Sequence, residues 1–224
     1  MLISATNLSK SIGAQYLFKD LNFTIVSGEK IALIGRNGHG KTTLLKILSG
    51  EDHDFEGAIT TASNVKITLT QQEHARSGSQ SPLEYILKDV PHFHAYKRIL
   101  GDDEMGLHTN LHQYMQTLEY FTDHRYFHLE GAVLSTLADF NISNESAQQP
   151  LSLLSGGEKR YVEMTRMMFS RSDILLVDEP TNHMDYQGKE RFISWMKKLP
   201  QTVLVVTHDR DVLRSVTKII ELKD

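Results

Sequence analysis

A glycine-rich stretch, GRNGHGKTT at residues 35–43, has the residue types and the spacing of a phosphate-binding loop. It follows the apolar run KIALI, which predicts a buried strand, and precedes LLKIL, which predicts a helix. Glycines let the backbone curl so that N–H groups face an anion, and the helix adds the positive end of its dipole; the alternative is a plain glycine turn. Lys41 is expected to reach the β- and γ-phosphates of a nucleotide, and the Thr42 hydroxyl to ligate Mg²⁺. The predicted phosphate-binding set is Gly35, Asn37, Gly38, Gly40, Lys41, Thr42 and Thr43.

A second motif, ILLVDEPT at residues 174–181, places two carboxylates at the end of an apolar run that predicts a buried strand. Asp178 can hold Mg²⁺ through water, and Glu179 can polarise a water that attacks a phosphate. Acidic pairs that only cap a strand end are common. This motif indicates a nucleotide site because it occurs together with the phosphate loop. The two motifs together predict a site for ATP and Mg²⁺.

A third segment, LSGGEKRYVEMTRMMF at residues 154–169, begins with small residues and continues as an amphipathic helix. Gly156 and Gly157 expose backbone N–H groups at the start of that helix, which favours an anion there. The alternative is an ordinary helix cap, because Ser155 and Glu158 have the spacing of a capping box. The basic side chains on and after this helix are expected to form a solvated or partner-facing surface; they are Lys159, Arg160, Arg166 and Arg171.

Short, continuous apolar runs between helical patterns indicate a parallel sheet that is buried on both faces, and therefore an α/β core. Strands are predicted at IALIG, VKITL, ILLVD, VLVVT and KIIEL, and residues 21–25 alternate as in a half-buried strand. Residues 82–141 carry helical patterns and predict an inserted helical subdomain, whose aromatic side chains are expected to form a core rather than to stack on bases. We expect a single domain of residues 1–224, with a core of about 1–74 and 172–224 and a helical insert, including the third segment, of about 82–171.

Composition excludes several classes of protein. The 224 residues include no cysteine, which excludes disulfides and thiolate metal sites and fits a reducing compartment. No run of about 18 apolar residues occurs, and the N-terminus lacks the pattern of a secretory signal, so a cytoplasmic protein without a membrane segment is expected. The formal net charge of −4 argues against general electrostatic capture of nucleic acid, although a local basic face is compatible with it.

Taken in order, LSGGE, VDEPTNHMD and VVTHDR resemble the motifs of the ABC ATPase superfamily over nearly the whole chain. The resemblance implies an α/β P-loop NTPase fold with a RecA-like core, an N-terminal antiparallel β subdomain and an inserted α-helical subdomain. By the same resemblance, Gln72 would contact Mg²⁺ and the attacking water, with Gln71 as the rival assignment. Asp185 would signal to the opposite half of the site, and His208 would contact the γ-phosphate.

The resemblance also implies that one such chain carries two incomplete sites. ABC ATPases bind two nucleotides between two domains packed head to tail. Each site takes the Lys41 loop from one domain and the Ser155, Gly156 and Gly157 segment from the other. Since this sequence has one copy of each, the predicted partner is a second ABC domain, in the same longer chain or in a homodimer. Efficient hydrolysis is expected only in the pair.

Details around the motifs resemble the ABC-F family in particular. Glu158 stands where transport ATPases usually carry glutamine, and Asn182-His183 follows Glu-Pro-Thr where they carry serine or glycine. ABC-F proteins carry two ATPase domains in one chain and act on the ribosome, as translation factors or antibiotic-resistance proteins. The ribosome is therefore a predicted partner, and the chain is expected to be the first part of a longer protein. The alternatives are the ATPase subunit of a membrane transporter and a nucleotide-dependent assembly switch with negligible turnover.

Recognition of adenine is the point where the sequence departs from the family pattern. Family members often have an aromatic residue after the LSKS segment that stacks on adenine, but here this position holds Ile12. Tyr16 is the nearby aromatic residue that could contact the base instead, and stacking on adenine stays open.

Overall fold

The computed structural model describes residues 1–70, 79–104, 111–182 and 184–223, and of residues 102–104 it describes the backbone alone. The chain divides into two compact units. The first unit is Met1–Gln72 together with Ser172–Asp224, and the second unit is Glu73–Arg171. The phosphate loop therefore belongs to the first unit, and the Ser155 segment to the second.

Strands and helices follow one another in the order that the apolar runs predict. The first part of the chain forms β1 (Ile3–Ile12), β2 (Gln15–Ile25), β3 (Lys30–Gly35), α1 (Lys41–Ser49), β4 (Glu56–Thr61) and β5 (Ile67–Leu69). The helical part forms α2 (Pro82–Leu87), α3 (Phe93–Glu104), α4 (Leu111–Asp123), α5 (Leu129–Asp139) and α6 (Gly156–Phe169). The last part forms β6 (Ile174–Asp178), α7 (Tyr186–Lys198), β7 (Thr202–Val206), α8 (Arg210–Leu213) and β8 (Lys218–Leu222).

A five-stranded parallel sheet forms the centre of the first unit, in the spatial order β5–β6–β7–β3–β8. Strand β7 is buried along its whole length and β6 along its first four residues, as their continuous apolar sequences predict. The predicted α/β fold is thereby confirmed. Because the strands are parallel, the carboxyl ends of β3, β6 and β7 lie at one edge of the sheet, where ligands of open α/β sheets bind.

A three-stranded antiparallel sheet, in the order β2–β1–β4, completes the first unit. Strands β1 and β2 form a hairpin in which Ile12 pairs with Gln15 across a two-residue turn that begins with Gly13 at φ 60°. The buried face of this sheet, including Ile3, Leu8 and Phe18, shares one hydrophobic cluster with α1 and the parallel strands. The hairpin is therefore held by the same core that holds the phosphate loop.

Helix α1 ends at Ser49 and is followed by Gly50 as its C-cap. Gly50 adopts the left-handed conformation, at φ 79°, and its N–H donates to the carbonyls of Ile47 and Lys46. A glycine reaches this conformation without the steric cost that a Cβ would impose.

Helices and short 3-10 turns make up the described part of the second unit, around a core rich in aromatic residues. Phe93 stacks on Phe121 with ring centroids 5.7 Å apart, and Tyr126 packs edge-on against both. These rings are buried, which agrees with a core function, whereas Phe127 is 56% exposed. Among the helices of the described residues, none combines the length and the apolar character needed to cross a bilayer.

One prediction about the second unit is wrong. The sequence predicts that Arg166 lies on a solvated or partner-facing surface, but its side chain is 3% exposed. Its guanidinium donates to both carboxylate oxygens of Glu163, at 2.7 and 2.9 Å, and to the Asp89 carboxylate, while the Tyr85 hydroxyl donates to Glu163 at 2.7 Å. Burial acts to lower the pKa of Arg166, but the hydrogen-bonded Glu163, together with Tyr85 and Asp89, outweighs it and the pKa is raised. Helical periodicity could not show this, because Asp89 and Tyr85 come from a different part of the chain. Of the other basic side chains in that prediction, Lys159 and Arg160 are half-buried and Arg171 is exposed.

Candidate functional site

The phosphate loop connects β3 to α1 and takes the shape that its glycines allow. Gly38 and Gly40 have φ values of 88° and 80°, in the left-handed region that side chains disfavour. Gly40 is the N-cap of α1, and a Cβ there would lie 2.9 Å from the Cβ of Leu17. Glycine is therefore required at this position for two reasons, the left-handed backbone conformation and the close approach of β2.

Lys41 is the first residue of α1, and its side chain turns back into the loop. Its Nζ donates to the carbonyls of Gly35 and Arg36, at 2.8 and 3.1 Å, and the residue is 9% exposed. The loop thus holds an ammonium group next to its curled backbone, which is the arrangement that binds an anion.

Thr42 and Asp178 meet at the edge of the sheet although 136 residues separate them in sequence. The Thr42 hydroxyl donates to Asp178 Oδ2 at 2.7 Å. Asp178 ends the buried strand β6, and its backbone N–H donates to the Thr70 hydroxyl at 3.0 Å. One hydroxyl and one carboxylate, both hard oxygen donors, fit the preference of Mg²⁺. The two residues predicted from separate motifs to hold this ion are therefore adjacent.

Glu179 follows directly and is held in a strained backbone conformation, with φ 44°. Its N–H donates to the Val206 carbonyl at 3.0 Å, which fixes the turn against the end of β7. Burial raises the pKa of Glu179; His208 and Lys41 act to lower it, and the Asp178 carboxylate adds to the rise. His208, just beyond β7, places Nε2 3.4 Å from Glu179 Oε1. The arrangement suits a carboxylate that takes a proton from water, with an imidazole beside it.

These side chains border a cleft of about 460 Å³ in the first unit. Its lining includes most of the predicted phosphate and metal residues, namely Asn37, Gly38, Gly40, Lys41, Thr42, Thr43, Asp178 and Glu179. Gly35 joins them through its bond to Lys41, and His208 through its contact with Glu179.

Three lining residues are absent from the predicted set: Ile12, Leu17 and Asn182. Tyr16 is not among the lining residues, and its contact with the base stays a prediction. The pairing of β2 with β1 shifts register between Phe18 and Tyr16, so side chains do not simply alternate around Leu17, and both Leu17 and Phe18 lie close to Gly40.

Ser155, Gly156 and Gly157 lie in the second unit at the start of α6. The capping box and the exposed glycines, both predicted from the sequence, occur there together. Ser155 and Glu158 form the capping box, with Ser155 N–H and Oγ donating to Glu158 Oε2 at 2.8 and 2.6 Å. Two hydrogen bonds lower the pKa of Glu158: the one from the Ser155 hydroxyl has the larger effect, and the one from the Ser155 N–H has the smaller effect. The two glycines are exposed, and a Cβ on either would meet open space, so their backbone is accessible to a ligand.

The remaining predicted residues divide between the described and the undescribed parts of the chain. Asp185 is the N-cap of α7 and accepts from the Gly188 N–H at 2.8 Å, so it has a structural role in this chain. Gln72 and its rival Gln71 lie outside the described residues.

Comparison with known proteins agrees with this geometry. A family model described as ABC transporter matches residues 18–182. The Bacillus subtilis protein named uncharacterized ABC transporter ATP-binding protein YfmR is 32% identical over 99% of this chain and 36% of its own length. The ribosome protection protein VmlR of Bacillus subtilis is 29% identical over 96% of this chain and 33% of its own length. The chain thus spans about a third of the length of these curated relatives.

Solved structures show the same fold. A dimeric, post-hydrolysis ATP-binding cassette called MJ0796, bound to ADP and phosphate, has a TM-score of 0.70 and 23% identity, with coverage of 99% of this chain and 94% of that one. The phosphate loop, the acidic strand end and the Ser-Gly-Gly helix start are thus found in a chain whose sequence and fold both match one family. This chain belongs to the ABC transporter family as an ATP-binding domain of the ABC ATPase type.

Proposed function

We propose that this chain binds ATP with Mg²⁺ and hydrolyses the bond between the β- and γ-phosphates of ATP. The observation that carries the proposal is the 2.7 Å hydrogen bond between Thr42 and Asp178, formed beside Lys41 and Glu179. Two motifs far apart in sequence supply one hydroxyl, one ammonium and two carboxylates to a single cleft. This is the set of groups that phosphoryl transfer to water requires.

Each group has a distinct role in the proposed reaction. Lys41 and the loop N–H groups bind the phosphate oxygens, and Thr42 and Asp178 would hold Mg²⁺, with Gln72 as a further expected ligand. When bound, the ion would offset negative charge on the phosphates. Glu179 accepts a proton from the attacking water, and the adjacent imidazole of His208 contacts the γ-phosphate.

Measuring phosphate release tests the proposal. The wild-type chain, paired as described next, should release phosphate from ATP only when Mg²⁺ is present. A Thr42→Val variant keeps the volume of the side chain but lacks its hydroxyl, so its activity should need more Mg²⁺. The proposal is wrong if the wild-type protein binds no nucleoside triphosphate by calorimetry.

We further propose that the hydrolytic site is completed by Ser155, Gly156 and Gly157 of a second ABC domain. Two facts support this: the chain has one copy of each motif, and the fold is shared with cassettes whose structures are dimeric. The exposed N–H groups at the start of α6 are available to an anion on a partner.

Complementation between two inactive variants gives a direct test. Lys41→Ala removes the loop lysine, and Ser155→Arg blocks the Ser-Gly-Gly surface, so each homodimer lacks any complete site. A mixed dimer contains one complete site, so an equal mixture should recover about a quarter of wild-type activity if copies pair at random. No recovery, in a mixture shown to contain mixed dimers, would exclude the shared site.

For the biological role we propose action on the ribosome, as in the ABC-F family. Support comes from Glu158 and from Asn182-His183, and from similarity to a relative named a ribosome protection protein. The chain should sediment with ribosomes in ATP, more strongly when Glu179 is replaced by glutamine. Membrane transport is the second candidate, because the matching family model is described as ABC transporter. Cofractionation with membranes rather than ribosomes would favour transport.

A further inference from the structure

His208 is held next to the Glu179 carboxylate by a short loop rather than by burial. The loop consists of residues 207–209, between the end of β7 and the start of α8. The His208 side chain is 51% exposed, and its Nε2 lies 3.4 Å from Glu179 Oε1. A side chain so open to solvent keeps its place only if the backbone on both sides of it is fixed. The residues that fix this loop therefore decide where the imidazole stands.

Thr207 fixes the first side of the loop. It is fully buried, and its N–H donates to the Leu33 carbonyl at 3.4 Å. Its hydroxyl accepts a hydrogen bond from the Asp209 N–H at 3.0 Å. These two bonds hold the beginning of the loop against β3 and leave the side chain of Asp209 to anchor the other side.

Asp209 anchors the second side through a carboxylate that is only 11% exposed. Its Oδ1 accepts from the N–H groups of Asp211 and Val212, at 2.9 and 3.5 Å, and thereby caps α8. Helix α8 has four residues, and a helix this short is not stable by itself in water. Asp209 can therefore hold the loop in place only if it is also attached to a longer element.

Lys189 of α7 provides that attachment. Its Nζ lies 2.6 Å from Asp209 Oδ2, so the two oxygens of one carboxylate join α8 to α7. Helix α7 has 13 residues and is itself capped by Asp185, whose carbonyl also accepts from the Lys189 N–H at 3.1 Å. The hydrogen bond from Lys189 lowers the pKa of Asp209 and outweighs burial, which acts to raise it. The pair is therefore charged on both sides and links a long helix to the loop.

We infer that Lys189 is a positioning residue for hydrolysis, which holds His208 in place through Asp209. The inference rests on the proposed function. Lys189 is not among the residues that line the nucleotide cleft, so it acts on the reaction only through the loop. A misplacement of about 1 Å at a reacting centre can cost about 100-fold in rate. Loss of Lys189 should therefore slow turnover while binding of ADP, which has no γ-phosphate, stays the same.

Single-turnover phosphate release with Mg²⁺ tests this inference together with calorimetry. Lys189→Met keeps the aliphatic stem but removes the ammonium, so the rate of turnover should fall by about ten- to 100-fold with unchanged affinity for ADP. Lys189→Arg can still donate to the Asp209 carboxylate and should retain most of the wild-type rate. Lys197→Met, at an exposed position of the same helix, is the matched control and should alter neither quantity.

A double-mutant cycle identifies the route. His208→Ala removes the imidazole, so adding Lys189→Met to it should slow turnover no further if Lys189 acts through His208. A further loss as large as that in the wild-type background would overturn the inference, as would a wild-type rate in Lys189→Met. Weaker ADP binding by Lys189→Met would overturn it too, because the change would then extend beyond the loop. A wild-type protein that releases no phosphate would instead refute the proposed function.

Discussion

Replacing Arg166 by methionine should destabilise the second unit far more than its place on an apparently amphipathic helix would lead one to expect. Methionine keeps the length of the aliphatic stem but removes the guanidinium that pairs with Glu163 and Asp89. Asp89 is 37% exposed and can regain water, whereas Glu163 is 6% exposed and cannot. The variant is thus left with a buried carboxylate that has lost its paired guanidinium and still accepts a hydrogen bond from the Tyr85 hydroxyl.

The magnitude follows from this asymmetry. Removing one partner of a buried ion pair costs about 3–5 kcal/mol, mostly from the uncompensated charge that stays behind. For a chain of this length each kcal/mol lowers the melting temperature by about 2–4 °C, so a decrease of about 6–20 °C is expected. Lys97→Met is the matched control, since Lys97 pairs with Glu130 at 2.6 Å but the two side chains are 52% and 39% exposed. Breaking such an exposed pair should cost about 1 kcal/mol or less.

Thermal unfolding followed by circular dichroism measures both variants, and hydrogen exchange of the α6 amides locates the change. A second variant isolates the cause. Combining Arg166→Met with Glu163→Gln removes the buried charge as well, and should be more stable than Arg166→Met alone. If Arg166→Met and Lys97→Met proved equally stable, the buried network would contribute nothing of the kind inferred here.

Four further predictions concern the cleft. Lys41→Ala should weaken ATP binding by roughly ten- to 150-fold, since charged hydrogen bonds contribute about 1.5–3 kcal/mol each, and unchanged affinity by calorimetry would contradict the loop assignment. Glu179→Gln should keep ATP binding but slow turnover by about 10²-fold or more. A variant that keeps most of its activity would show that Glu179 is not the base. Because burial raises the pKa of Glu179 above its ordinary 4.5, protonation should reduce wild-type kcat/KM as the pH falls toward that raised value; an acid limb at or below pH 4.5 would speak against this. Gly40→Ala should lose ATP affinity, because the new Cβ would sit on a left-handed backbone and would contact Leu17. Gly50→Ala is the control: its backbone is also left-handed, but its Cβ would meet open space, so only stability should fall.

Much of the fold and the centre of the cleft could be predicted from the sequence, because they depend on local patterns. The apolar runs gave the parallel strands, since a strand buried on both faces needs no alternation. The left-handed backbone at Gly40 and Gly50 was predictable from residue type, because few other residues adopt it at low cost. Parallel topology then implied that Asp178 would approach Thr42, since both lie at the carboxyl edge of the sheet.

Other features depended on which surfaces meet, and strand or helix periodicity does not contain that information. The sequence offered Tyr16 as the aromatic residue near the base, but the packing of β2 on Gly40 puts Leu17 rather than Tyr16 in the lining of the cleft. The burial of Arg166 could not be predicted from the sequence, because it depends on Asp89 and Tyr85, which approach it only after the chain has folded. Residue types and spacing along the chain thus determined the phosphate loop and the acidic strand end, whereas long-range contacts decided which hairpin residues border the cleft and which charges are buried.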